Sequence, residues 1–215
     1  SALKGDVYFK LANFSLAEQF YRKSLTSDNS QKTTLSLSQT LIAQGKLDEA
    51  IDMLFEWHSK EPRNTIVAIA LADAYVSKKE VKKAADLYEA QIQLNGNMPV
   101  LLNNASVVSI TLGQMEKALE YAESAYNKMP NNVAIMDTMA WAYTKANQPE
   151  KALNLFRNAL AIESNNAEVK YHLAVNLVML KRENEAIKYL KEAVESSQSF
   201  AEIEQAKQLL AKLLS

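Results

Sequence analysis

The side chains that could carry out chemistry in this chain are few and scattered. Its two histidines, His58 and His172, lie far apart, and there is no cysteine in 215 residues. A nucleophile or general base needs partners that converge on it in a site sheltered from water. No Gly-rich phosphate loop, His-Glu-x-x-His or Gly-x-Ser-x-Gly run supplies them. The paired acids Asp48-Glu49 fall in the first turn of a helix, where carboxylates favour the helix dipole. No catalytic residue, cofactor or metal site is expected, and the absence of thiols excludes disulfides and thiolate-bound metal. The chemistry on offer is recognition. Asn103, Asp137 and Tyr171 follow one another at intervals of 34 residues, as do Asn104, Thr138 and His172; Val107, Trp141 and Val175; and Ile110, Thr144 and Val178. Stacked side by side, they make a polar strip next to an apolar one. The amides both donate to and accept from a peptide backbone, and Trp141 and Tyr171 offer the aromatic area that anchors interfaces. A bracing role is equally open to them: Asn103, Asn104 and Thr138 between neighbouring helices, His172 paired with Glu168 one turn back, Trp141 against the next unit. Trp57 reads as a core residue and His58 as a surface one.

Such ladders require identical elements stacked in register. Ala17, Ala50, Ala84, Ala118, Ala152 and Ala186 provide the evidence: the last five are each 34 residues apart, and the first gap is 33. Twelve residues before each alanine stands a small residue: Gly5, Ser38, Ala72, Ser106, Ala140 and Ala174. Nine before lies Tyr8, Leu41, Tyr75, Ser109, Tyr143 or Leu177, and four after lies Tyr21, Leu54, Tyr88, Ala122, Phe156 or Leu190. Pro62 and Pro130 close two units, and Asn29, Gly96, Ser164 and Gln198 stand at the equivalent positions. This resembles the tetratricopeptide repeat pattern. Each unit is then a helix A, a short turn and a helix B, with the small residue and the alanine facing each other where the two backbones come closest. Gly45 and Gly113 end two A helices in a left-handed conformation. Pro149 opens a helix B and Pro99 a helix A, where the missing N–H costs nothing.

The fold class expected is all-α: a right-handed α–α superhelix of six helical hairpins with a C-terminal capping helix, as one solenoid over residues 1–215. The units run 1–30 (partial), 31–64, 65–98, 99–132, 133–166 and 167–199, and the cap covers 200–215. The apolar set Ile203, Ala206, Leu209, Leu210, Leu213 and Leu214 in that last segment has helical spacing, as a cover for an open solenoid end requires. The chain opens inside its first helix A, so it is expected to be a piece of a longer array, with any targeting signal upstream and out of view. Lys and Arg (24) nearly balance Asp and Glu (25), which argues against nucleic acid as a partner. The longest uncharged run, Ala90–Met115, carries four asparagines, Gly96 and Pro99 and is not a membrane span.

A narrower resemblance rests on Leu54-Phe55-Glu56-Trp57-His58 with Pro62, Leu102-Asn103-Asn104-Ala105, Asp137-Thr138-Met139-Ala140-Trp141, Tyr171-His172-Leu173-Ala174 and Phe200-Ala201-Glu202. In this order and spacing they are similar to the C-terminal repeats of the PEP-CTERM-system tetratricopeptide-repeat lipoproteins. That resemblance implies a bacterial envelope protein, periplasm-facing, lipid-anchored in its full length through a cysteine outside this chain, and associated with exosortase sorting and exopolysaccharide production. Met139 and Ala140 depart from that family's usual Leu and Gly but keep the packing role.

The function expected is a non-catalytic scaffold that holds a protein or peptide in the concave groove of units four to six. The groove residues are Asn103, Asn104, Val107, Asp137, Thr138, Trp141, Tyr171, His172 and Val175. The helix-A faces of units one to three carry Leu35, Gln39, Ile69 and Asp73 without a repeated theme, nor is there a Lys/Asn/Arg clamp for an acidic C-terminal tail. Two alternatives stay open: self-association through the exposed first repeat, or a regulatory array attached to an enzyme elsewhere in a longer chain.

Overall fold

The computed structural model describes residues 1–27 and 30–215; the turn residue expected at Asn29 lies outside them. Among the described residues every regular element is an α-helix. The first helices of successive hairpins are α1 (Ala2–Lys10), α3 (Gln31–Ala43), α5 (Thr65–Ser77), α7 (Pro99–Thr111), α9 (Val133–Lys145) and α11 (Ala167–Met179). Their partners are α2 (Phe14–Leu25), α4 (Leu47–Lys60), α6 (Val81–Asn95), α8 (Met115–Lys128), α10 (Pro149–Ile162) and α12 (Glu183–Val194), and α13 (Ile203–Leu214) follows.

Local chemistry sets where each helix starts and stops. Ser30, Asn64, Asn132 and Asn166 precede α3, α5, α9 and α11, and each side-chain oxygen accepts the amide N–H three residues on, at 3.1–3.3 Å. An orphan donor is thereby satisfied at each start, worth about 1 kcal/mol per cap. The α9–α10 turn shows how the A helices end. Gln148 N–H reaches back to Tyr143 C=O at 2.9 Å while Asn147 takes φ 60°, a left-handed closure of the Schellman type. The same bond recurs from Asn13, Lys46, Glu80, Gln114 and Arg182. Glycine fills the left-handed position at Gly45 and Gly113, but Ala12, Lys79, Asn147 and Lys181 fill it in the other four hairpins.

The helices gather into two units, Ser1–Leu101 and Leu102–Ser215. In the first, each helix packs on the next, and α1 on α3 and α3 on α5. Its core groups Ala17, Tyr21, Leu37, Leu41 and Ala50, then Ile51, Leu54, Val67, Leu71 and Ala74. In the second, α8 to α13 also pack in succession and α9 meets α11. Its core runs from Val133 through Phe156, Leu173 and Leu190 to Ala206, and Ile110 of α7 packs with Ala122, Met139 and Ala142.

The six repeating alanines are all fully buried, and the small residues opposite them are buried too. At Gly5 the fit is tightest, for a methyl group there would stand 2.6 Å from the Tyr21 ring. The last helix begins at Ile203 rather than at Phe200. Phe200 sits before it, buried, with its ring 5.8 Å from that of Tyr171, so the segment is anchored by an aromatic contact before it turns into helix. No helix among the described residues is long and apolar enough to cross a membrane.

Candidate functional site

Helices α9 and α11 are buried over most of their circumference, because the second helices of their own and the preceding hairpin flank them. Of the nine groove residues read from the sequence, Asp137, Thr138, Tyr171 and His172 are therefore buried. Asn103, Asn104, Trp141 and Val175 are half-buried, and Val107 is 45% exposed. The open part of this face is Asn103, Asn104 and Val107 on α7, Trp141 on α9 and Val175 on α11.

At its centre the Trp141 ring stacks on the His172 ring, centroids 4.1 Å apart and 17° from parallel. The Lys145 ammonium lies 4.3 Å from the same Trp centroid. Two groups this close to one centroid must lie on opposite faces, so a partner meets the indole edge unless Lys145 swings away. Tyr171 completes the cluster, 6.4 Å from Trp141 and 5.6 Å from His172. On α7, Asn103 donates to the Asn104 carboxamide at 3.4 Å, and the Asn103 side-chain oxygen is shielded from water with no hydrogen-bond partner.

His172 does not pair with Glu168. Its Nδ1 bonds both carboxylate oxygens of Asp137, at 2.9 and 3.0 Å. The register of α11 on α9 brings together residues 35 apart, and the one-turn spacing to Glu168 leaves that carboxylate nearby but unbonded. Burial alone would drive the His172 pKa down; the charge and hydrogen bond of Asp137, joined by Glu202 and Glu168, turn the balance upward. Burial raises the Glu168 carboxyl, with His172 opposing and Asp137 and Glu202 reinforcing, and burial also raises the Tyr171 hydroxyl, helped by Glu202. Glu168, His172 and Glu202 bring one donor atom each to within 4.8 Å of one another. Sequence reasoning missed this cluster. Its signal was a Glu and a His one turn apart on α11, followed by Glu202 in the Phe200-Ala201-Glu202 run.

Three other buried groups went unread. Asn176, fully buried, accepts from Thr144 Oγ1 at 2.9 Å and donates to Pro149 C=O at 3.0 Å. Lys170 pairs with Glu192 at 2.8 Å, and Gln91 donates to Pro62 C=O at 2.9 Å. Asn176 stands where the preceding repeats have Ala142, Val108 and Ala74, and that polar break in an apolar ladder could have exposed it. Trp57 packs beside the Ile51–Ala74 core and is half-buried, with its indole N–H unpartnered. His58, expected at the surface, is half-buried as well, and burial lowers its pKa.

Models of the tetratricopeptide repeat match residues 41–97 and 143–213, and a second such model matches residues 2–31. Tetratricopeptide repeat protein 21A of Mus musculus is 28% identical over 178 residues, which cover 80% of this chain and 13% of that protein. The chain thus spans only a small part of that relative's length. Among solved structures, the thermophilic tetratricopeptide-repeat protein TTC0263 of Thermus thermophilus superposes with a TM-score of 0.72 at 18% identity, covering 86% of this chain and 99% of that one. Cut9, in a Cut9–Hcn1 hetero-tetramer of the anaphase-promoting complex, gives 0.77 at 20% identity over 98% of this chain and 42% of the other. At such identities the likeness establishes the fold, an α–α superhelix of helical hairpins.

Proposed function

From the membership of this chain in the tetratricopeptide repeat family, whose folds generally mediate protein–protein interaction, we propose that it is a non-catalytic scaffold that holds an extended peptide across α7, α9 and α11. The observation that carries this reading is the Asn103 side-chain oxygen, sheltered from water yet without a donor, on the same helix as the exposed Val107 one turn on. A buried acceptor left unpaired costs about 1–3 kcal/mol, and a ligand backbone N–H relieves that cost once the Asn103 carboxamide turns outward to meet it. Trp141 and Val107 supply apolar area for alternate ligand side chains. Fluorescence anisotropy against a library of labelled peptides tests it. Peptides that bind the wild type should lose affinity in Asn103→Ala and in Val107→Glu, whose exposed position keeps the fold intact. Equal affinity in both variants overturns the reading.

The finer placement is the bacterial envelope, in exosortase or exopolysaccharide machinery. It is supported by the Asp137-Thr138-Met139-Ala140-Trp141 and Tyr171-His172-Leu173-Ala174 runs, and fractionation of the native host with an antibody to this chain tests it. A second reading, self-association, is favoured by α1 and its C-cap, where Leu3, Val7 and Leu11 are 77%, 56% and 69% exposed at four-residue spacing. Light scattering over a concentration series decides: a mass that stays monomeric removes it.

A further inference from the structure

The structure assigns a second property to the α11–α13 junction. We propose that Glu168, His172 and Glu202 bind a divalent first-row transition ion of the zinc type. One donor atom from each residue lies within 4.8 Å of the others. The imidazole is prepared as a ligand: Nδ1 is held by the Asp137 carboxylate at 2.9 and 3.0 Å, and the opposite nitrogen, Nε2, is shielded from water with no partner. His172 is 4% exposed, so that orphan nitrogen cannot be satisfied by bulk solvent. The second Glu202 carboxylate oxygen is likewise shielded and unpartnered. A carboxylate held on one imidazole nitrogen is the arrangement by which metal-binding histidines are oriented and made more basic, and it leaves Nε2 to coordinate. The Trp141 ring, stacked at 4.1 Å, fixes the plane of the imidazole.

One nitrogen and two carboxylate oxygens suit zinc and its neighbours better than magnesium or calcium, which prefer oxygen alone. Metal–ligand distances of about 2.0–2.2 Å require the three donors to close in slightly. Glu168, exposed and not hydrogen-bonded, is free to rotate inward. It also lines an open cavity of about 330 Å³ with Asn166, Gln198, Ser199 and Phe200, by which an ion can reach its carboxylate from solvent. Two ligands sit one turn apart on α11 and the third caps α13. The ion would therefore tie the last helix to the final hairpin. This inference stands apart from the peptide reading, since neither Asn103 nor Val107 takes part.

The test uses Trp141 as reporter. In a Trp57→Phe background it is the only indole, and its contact with His172 makes it sensitive to a quenching ion on Nε2. Chelator-stripped protein is titrated with Co²⁺, Ni²⁺ and Zn²⁺, with Ca²⁺ and Mg²⁺ as controls, reading fluorescence, Co²⁺ absorption and thermal melting. One equivalent of Co²⁺ should quench Trp141, and Zn²⁺ should compete with it and raise the melting temperature. Glu168→Gln and the isosteric Glu202→Gln should each weaken binding by about tenfold or more while circular dichroism stays unchanged; Asn103→Ala should bind as the wild type does. No saturable binding up to about 1 mM, or equal binding by the wild type and both glutamine variants, overturns the proposal.

Discussion

Replacing Thr144 by Val while keeping Asn176 should cost more than the loss of one ordinary hydrogen bond. The Thr144 hydroxyl has a single proton and two acceptors, Ala140 C=O and Asn176 Oδ1, each at 2.9 Å. Ala140 C=O already takes the Thr144 amide in the helix, so the proton matters most to Asn176. Asn176 is fully buried and Thr144 is 1% exposed, so no water replaces the lost donor. Val fills the same volume, which makes the expected cost almost purely that of an unpaired buried carbonyl oxygen, about 1–3 kcal/mol. Asn176→Ala removes both of that side chain's bonds, returns the Thr144 proton to Ala140, and leaves a small cavity, for roughly 2–3 kcal/mol. Thr144→Val made on top of Asn176→Ala should then be nearly neutral. The cycle therefore predicts a coupling equal to the Thr144→Val cost itself, about 1–3 kcal/mol. Urea unfolding followed by circular dichroism on all four proteins measures it, with equal m-values as the check that the same unit melts. Additive single-variant losses would refute the reasoning, because they would mean that the two side chains do not share one bond.

Gly5→Ala pits a helix-propensity gain of about 1 kcal/mol against a methyl placed 2.6 Å from the Tyr21 ring. That ring cannot retreat, since it is 2% exposed and its hydroxyl bonds Asp6 at 2.7 Å, so a net loss of roughly 1–2 kcal/mol should appear in thermal melting. Lys181→Gly should stabilise by about 0.5–1 kcal/mol, the strain of a left-handed lysine at φ 59° less the glycine entropy cost; Gly113→Ala should destabilise by a similar amount. The Glu18 carboxyl meets a burial cost that raises its pKa, but hydrogen bonds from Lys46, Gln44 and Arg22 bring it down to about 2. A depressed carboxylate stabilises above its unfolded pKa and loses that contribution as pH falls through the folded value. Glu18→Gln should therefore be less stable than wild type at pH 7, by about 1–2 kcal/mol given its half-exposed cationic partners, with the gap closing between about pH 4.5 and pH 2 in acid titrations of melting temperature.

The helical pairs were legible because burial demands were repeated at fixed intervals: the Ala17-to-Ala186 series and the small residues opposite carry the hairpin crossing without any structural input. Left-handed turns were legible only where glycine occupies them. Ala12, Lys79, Asn147 and Lys181 adopt the same conformation because the backbone closure across the turn forces it, and side-chain identity does not record that force. The ladder spacing placed Trp141 and His172 on one face. It could not say that Asp137, one repeat and one residue away, would take the His172 ring, since that depends on how far α11 slides along α9. Four of the six residues of the polar strip consequently face inward, Asp137, Thr138, Tyr171 and His172, and the α7 amides beside Val107 remain for a partner.

Left-handed closure and small-residue crossing recur in all six hairpins, a side-chain cap joins them at α3, α5, α9 and α11, and all lie within a single hairpin and its leading loop. A cut anywhere between Gln31 and Ser199 that removes 34 residues therefore rejoins the chain with every cap still three residues ahead of its amide and every alanine still opposite a small side chain. Removing 33 residues with the cut inside a helix would instead leave that helix turned by about 100° about its own axis, presenting charged positions to the core. The grammar of this protein is phase rather than position: within a helix its segments are exchangeable in whole periods from any starting letter, and a change of one residue is absorbed only between helices, as in the 33-residue first interval.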